Sequence, residues 1–243
     1  KIPLPPLETQ KKIVAILEKA EALKQKRELA DKLTQEYLKS VFSEMFLKNK
    51  FPEIELGDNN VCEIAGEYGS GSGAVEYDGK IRYIRITDID EEGNLRNEFV
   101  SPSSVEDKYL LKKGDLLFAR TGATVGKTYL HVSNSSNYQY AGYMIRFRFN
   151  NKINPRFAYY FTRTSRYLSW ISSMQKVVAQ PNINAKQYSS LRIPFPPIEL
   201  QNKFATIVEH VEKMKEKQLK NKEYIGEMFN SLMQKSFNGE LVI

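Results

Sequence analysis

Ile193-Pro-Phe-Pro-Pro-Ile-Glu-Leu-Gln201 and Ile2-Pro-Leu-Pro-Pro-Leu-Glu-Thr-Gln10 are two copies of one stretch, and each runs on into a long amphipathic segment. Between residues 2–24 and 193–215, eleven positions are identical at a constant offset of 191, with no gap. The offset still holds where Ser40 meets Ser231 and Phe46 meets Phe237, which makes each copy about 45 residues long. A fixed offset over that length marks a repeated module. Two similar helices therefore bracket a segment of different composition. The expected organisation is a first helical copy over 1–50, a globular domain over 51–192 and a second helical copy over 193–243.

Pro3, Pro5 and Pro6 hold an extended lead-in, and Pro6 suits the first helical turn, where its missing N–H costs nothing. Glu8 then complements the positive end of the helix dipole. No proline or glycine follows until Pro52, which allows a helix of about 40 residues and about 60 Å. Steps of three and four place Ile13, Ile16, Ala20, Leu23, Tyr37 and Val41 on one seam, with Arg27, Ala30 and Thr34 in its middle. The second copy gives Phe204, Ile207, Val211, Met214, Ile225, Met228 and Leu232, with Gln218 and Asn221 in the middle. Such seams predict an antiparallel coiled coil whose weak polar centres meet, Arg27 facing Gln218 and Asn221, and so fix register.

Between the copies the apolar period changes from 3.6 to 2. Ile81–Ile86, Asp115–Phe118, Val125–Val132 and Tyr143–Phe149 read as strands. In the last of these Tyr143, Ile145, Phe147 and Phe149 share one face, and Arg146 and Arg148 the other. Residues 155–175 return to a helical pattern with Phe157, Phe161, Leu168 and Ile171 as the buried stripe and Arg156, Arg163 and Arg166 beside it. The predicted class is an α/β (α+β) domain, a twisted sheet with a covering helix, plus two long helices forming an antiparallel coiled coil.

From Leu116 to Arg192 there are eleven Lys and Arg and no Asp or Glu, interleaved with tyrosine and phenylalanine. Ordinary solvated surfaces mix charge signs. An acid-free basic stretch predicts a surface that neutralises phosphates, with aromatics and amides available to bases; docking of an acidic partner subunit is the other reading. Candidate DNA contacts are Ser70 and Ser72 in the glycine-rich loop 66–77, then Arg120, Thr121, Lys127, Tyr143, Lys176, Gln180 and Asn182. The amides suit adenine, and the cations suit guanine or phosphate.

Other chemistries find little support. One cysteine, Cys62, and two histidines make neither a disulfide nor a zinc site, so no metal and no cofactor are expected. Gly122-Ala-Thr-Val-Gly126-Lys127-Thr128 has three residues between its glycines where a phosphate-binding loop needs four. No amino-methyltransferase motif and no nucleophile with a plausible base is present, so the residues point to a binding protein and not an enzyme. With no apolar run of about 18 residues and no signal peptide, a soluble cytoplasmic protein without a membrane partner is expected.

Four features together resemble the specificity subunits of type I restriction-modification enzymes: the doubled Ile-Pro-x-Pro-Pro-x-Glu-x-Gln entry; Tyr83-Ile-Arg-Ile-Thr-Asp-Ile89; Lys113-Gly-Asp-Leu-Leu-Phe-Ala-Arg-Thr-Gly-Ala-Thr-Val-Gly-Lys127; and Gln180-Pro-Asn-Ile-Asn184. The resemblance covers nearly the whole chain. It implies a target-recognition domain over 51–192, held by spacer helices and reading part of a split site on double-stranded DNA. It also implies methyltransferase (M) subunits as partners and, through them, restriction (R) subunits. Subunits of that family have two recognition domains and this chain has one. It is therefore expected to be the C-terminal half of a longer subunit, or a half-size subunit that forms a homodimer. The specificity region of a fused restriction-methylation enzyme and a coiled-coil assembly module that does not bind DNA are the alternatives.

Overall fold

In the computed structural model, which describes residues 6–175 and 182–238, Pro6 and Pro197 each open a long helix in the same way. The N–H of Gln10 reaches the carbonyl of Pro6 at 3.0 Å, and that of Gln201 reaches Pro197 at 3.2 Å. The first helix, α1, is Leu7–Phe42 and carries Glu8 in its first turn; the last runs from Ile198 to Asn238 with Glu199 in its first turn. The repeat in the sequence is thus a repeat of helix starts. Gln201 shows why its side chain recurs. Fully buried, it accepts from the N–H of Asn154 at 2.9 Å and donates to the carbonyls of Pro196 and Lys152 at 2.9 and 3.2 Å, tying the helix entry to the domain.

Between the long helices lie β1 (Glu53–Glu55), β2 (Cys62–Tyr68), β3 (Ala74–Glu76), β4 (Arg82–Ile84), β5 (Val100–Pro102), β6 (Leu116–Ala119), β7 (Thr128–Leu130), β8 (Tyr138–Tyr140), β9 (Met144–Phe149), α2 (Pro155–Phe161), α3 (Ser165–Gln175), α4 (Ala185–Ser189) and β10 (Arg192–Pro194). The chain divides into two compact units: residues up to Ser40 with those from Thr206 onward, and Val41–Ala205. The second unit thus reaches beyond 51–192 at both ends.

The helical unit buries Ala20, Leu38, Val208 and Val211. The two helices run antiparallel: Phe42 meets Phe204 edge-on at 5.2 Å, and further along Lys24 Nζ lies 5.8 Å from the centre of the Phe229 ring. Ile13, Ile16, Ile207, Ile225, Met228 and Leu232 are half-buried, as the seam requires. Leu23, Tyr37 and Met214, predicted on the seam, are instead about half exposed. Near the end of α1 the buried position falls one residue later, so Leu38 replaces Tyr37. Leu23 and Lys24 are both exposed, the Lys24 ammonium facing the Phe229 ring. At the polar centre Arg27 and Gln218 are half-buried, while Asn221 is exposed.

In the globular unit the order β2-β9-β6-β7 makes an antiparallel central sheet, with β1 on β10, β3 on β5 and β4 parallel to β8 as separate pairs. Both faces of β6 are buried. On one side Phe118 packs against Phe147, Tyr167 and Tyr188; on the other Leu117 joins Ile84, Ile89, Leu111, Tyr140 and Met144. Arg146 pairs in register with Leu117 and so lies on the second, covered face. Phe42, Phe46, Phe157 and Phe204 form a further aromatic cluster, Phe46 being carried by a π-helical turn, Ser43–Leu47, that prolongs α1.

The helix predicted over 155–175 is broken in two. The hydroxyls of Thr162 and Thr164 each bond back to the third preceding carbonyl, of Tyr159 and Phe161, at 2.7 Å, competing with the helical ladder. The restart at Ser165 shifts the phase, so Tyr167 is buried and Leu168 is 56% exposed. Among the described residues no helix is long and apolar enough to cross a membrane.

Candidate nucleic-acid interface

Where β6 ends at Ala119, the chain is fixed from four directions. The carbonyl of Ala119 accepts from the Tyr188 hydroxyl at 2.8 Å and from the N–H of Gly126 at 3.1 Å. Burial raises the Tyr188 pKa above its ordinary value, keeping the phenol a proton donor. The N–H of Arg120 donates to Tyr143 at 3.0 Å, and its carbonyl accepts from Ile183 at 2.9 Å. Thr121 and Asn182 then form an isolated antiparallel bridge. Arg120 lays its guanidinium over the ring of Tyr68, 4.7 Å from the centroid, and the Tyr68 hydroxyl accepts from the N–H of Ala185 at 3.1 Å. Tyr143, Tyr68 and Asn182 are exposed here, Tyr143 at 61%. An arginine, two tyrosines and an amide thus converge from β2, the ends of β6 and β9, and the approach to α4.

Of the nine predicted contacts, Arg120, Thr121, Tyr143 and Asn182 are brought together; Tyr68, not singled out from the sequence, joins them. Its signal was faint: an aromatic residue at the edge of a glycine-rich stretch. Lys176 and Gln180 lie outside the described residues. Ser70 does not qualify. It is buried, its hydroxyl bonded to Ser72 Oγ at 2.9 Å and to Glu106 at 3.2 Å. The Ser72 hydroxyl is spent on Ser104, at 2.8 Å to Oγ and 3.1 Å to the carbonyl oxygen, and Tyr83 donates to the carbonyls of both Ser70 and Ser72. The glycine loop is therefore a tied structural corner. At Gly69 a Cβ would lie 2.6 Å from backbone atoms of Tyr140 and Ala141, so the glycine serves close packing rather than flexibility. Lys127 is also occupied, its ammonium paired with Glu91 at 2.7 Å.

The acid-free stretch meets its counter-charges by folding. Arg146 is buried and pairs with Glu67, with Asp115 at 3.5 Å; Arg148 holds fully buried Asp115 through bonds of 2.7 and 2.8 Å, which raise the Arg148 pKa. Glu53 takes Arg166 at 2.6 Å and Arg192 at 3.5 Å. Arg163 donates to the carbonyl of Thr128 at 3.0 Å and stacks on Tyr159. Five cations of the stretch are thus paired with carboxylates: Arg146 and Arg148 with little exposure, Arg166 and Arg192 at the surface, and Lys127 with the exposed Glu91. Arg120, and Lys186 next to Ala185, have no carboxylate partner among the described residues, and both stand at the Tyr68 corner. No group of three or more His, Cys, Asp or Glu able to hold a metal occurs among the described residues.

A family model described as "Type I restriction modification DNA specificity domain" matches residues 50–223. The specificity subunit of the type I restriction enzyme MjaVIII from Methanocaldococcus jannaschii is 26% identical over 99% of this chain and 62% of its own length. That of EcoDI from Escherichia coli is 29% identical over 38% of this chain and 22% of its own. The fold is similar to a solved chain of a type I restriction-modification system (TM-score 0.65, 22% identity), covering 99% of this chain and 62% of that one. It is also similar to the HsdS subunit from Thermoanaerobacter tengcongensis (TM-score 0.58, 20% identity), covering 99% and 60%. The chain spans about three fifths of the length of these longer matches.

Proposed function

The chain belongs to the family of type I restriction-modification DNA specificity domains, and we propose that it recognises a specific sequence in double-stranded DNA on behalf of methyltransferase and restriction subunits, itself performing no catalysis. The observation that carries this reading is the corner built from Tyr68, Arg120, Thr121, Tyr143 and Asn182, where Arg120, with no carboxylate partner among the described residues, stands beside exposed aromatic and amide groups. Such a corner offers charge for phosphates and directional donors for base edges.

The long helices serve as the spacer that carries the methyltransferase. Leu29, Leu33 and Tyr37 form a second apolar row on α1, each more than half exposed, away from the buried Ala20 and Leu38; such a row favours a helical partner. One recognition domain reads one part of a split site. A second such domain, in a homodimer or elsewhere in a longer subunit, reads the other. The complex acts in the cytoplasm, where DNA and methyltransferase meet it. The test is selection from a random duplex library at two salt concentrations, with and without the methyltransferase subunit. Enrichment of a short motif is expected. Salt-insensitive binding with no motif, partner present, would overturn the proposal.

A further inference from the structure

We infer that Arg120 is the guanine-reading residue of this domain and that Tyr68 is its positioning residue, an inference that rests on the DNA-recognition reading above. Three observations lead there. The backbone on either side of Arg120 is locked by the bonds to Tyr143, Ile183 and, through Ala119, Tyr188. The guanidinium is oriented a second time by the Tyr68 ring, itself tethered through its hydroxyl to Ala185. Finally, the Nε of Arg120 is buried without a hydrogen-bond partner, while no carboxylate or carbonyl takes its terminal nitrogens among the described residues.

The last point narrows the ligand chemistry. An arginine gripping a phosphate or carboxylate sideways uses Nε together with one terminal nitrogen, and burial of Nε removes that fork. What remains is the end-on pair of terminal nitrogens, parallel donors matching the two acceptors, O6 and N7, that guanine presents in the major groove. The burial of Nε is tolerable because the ring of Tyr68 faces the same cation. Four other cations of the acid-free stretch are differently disposed: Arg146, Arg148, Arg166 and Lys127 are each closed by a carboxylate. Asn182, bridged to Thr121 beside Arg120, places an amide next to the same base step.

The full chain, alone and with its methyltransferase subunit, is compared with Arg120→Ala, Arg120→Lys and Tyr68→Leu in selection from a random duplex library, followed by binding to the selected duplex over a range of salt. Arg120→Lys keeps the charge and loses the fork, so it separates misfolding from lost reading; thermal melting follows every variant. The expected result is a wild-type motif containing an invariant guanine. In both Arg120 variants that position alone should relax, by about ten- to a hundredfold in discrimination, with the slope of affinity against salt unchanged in Arg120→Lys. Tyr68→Leu should relax the same position by a smaller factor. If Arg120→Ala weakens all sequences equally and lowers the salt slope by about one, Arg120 is a phosphate contact and the inference fails while DNA recognition stands. An unchanged motif in Arg120→Lys likewise overturns it. If the wild type enriches no motif, the recognition reading itself fails, and this inference with it.

Discussion

Replacing Asp115 by alanine tests whether the cations of the central sheet are bound inside the domain or face water. Asp115 is fully buried and takes two bonds from Arg148, one longer contact from Arg146, and the N–H of Lys112 at 2.8 Å. Its removal leaves one backbone donor and two guanidinium groups without that acceptor, and Arg146 is only 2% exposed. Breaking a buried pair by deleting one partner costs about 3–5 kcal/mol, because the remaining charge cannot be hydrated. Arg146 keeps Glu67, so the lower half of that range applies. For a domain of this size, about 3 kcal/mol lowers Tm by about 6–12 °C. Trp170 is the chain's single tryptophan and packs on Tyr188 at 5.7 Å, so its fluorescence during thermal or urea unfolding reports this unit specifically. The loss should persist at 0.5 M salt, since buried pairs are weakly screened. A loss under about 1 kcal/mol, or one that salt abolishes, would mean that the arginines are solvated after all and would restore the open basic face inferred from sequence.

Three further outcomes follow from individual residues. Leu38→Ala should destabilise the helical unit by about 2–5 kcal/mol in far-ultraviolet melting, whereas Tyr37→Lys should leave it unchanged and weaken methyltransferase binding; the reverse order would return the seam to Tyr37. His131 is buried, and desolvation lowers its pKa against the opposing bond to the Ser135 carbonyl and the nearby Asp115 charge. The unfolded chain then binds the proton more readily than the folded one, so stability falls as pH drops below about 6.5 toward the folded pKa. His131→Gln should flatten that part of the urea-stability profile, and an unchanged slope would refute the assignment. Burial pushes the Cys62 thiol up to about 12, with Sγ donating to the Leu56 carbonyl at 3.0 Å. A thiol reagent at pH 8 should therefore label it only on unfolding, and rapid labelling of the native chain would contradict the structure.

The helix starts were legible because Pro-Pro acts locally, through a missing N–H, whereas the Gln201 side chain reaches Asn154 and Lys152 across the fold. The seam was legible to within one residue: Ala20 and Val211 are common to both registers, and only a partner helix decides between Tyr37 and Leu38. Strand β9 could be read from its alternation. Strand β2 could not, because its bulges interrupt the period and leave Glu63 and Glu67 among apolar residues. Arg120, Thr121 and Asn182 were legible as chemistry but not as neighbours, since the bridge joining them spans 61 positions. Among the described residues, five cations of the acid-free stretch, Lys127, Arg146, Arg148, Arg166 and Arg192, pair with carboxylates that the stretch itself lacks. A stretch without carboxylates need not be an unpaired surface when Glu53, Glu67, Glu91 and Asp115 arrive from elsewhere in the chain.

That exchange of charge has a temporal side. Within the domain a ribosome makes residues 51–115 before 116–192; the former hold fifteen acidic against seven basic residues, and the latter add eleven basic ones. Strand β1 waits for β10 and β2 for β9, so the central sheet cannot form until residues 116–149 follow, which at about 5–20 residues per second takes roughly 2–7 s. Until then residues 51–115 carry fifteen acidic against seven basic residues, a local negative charge that disfavours their association with nucleic acid. Arg146 and Arg148, the counter-charges of Glu67 and Asp115, thus arrive on the strand that completes the central sheet, so charge neutralisation and sheet closure are one event.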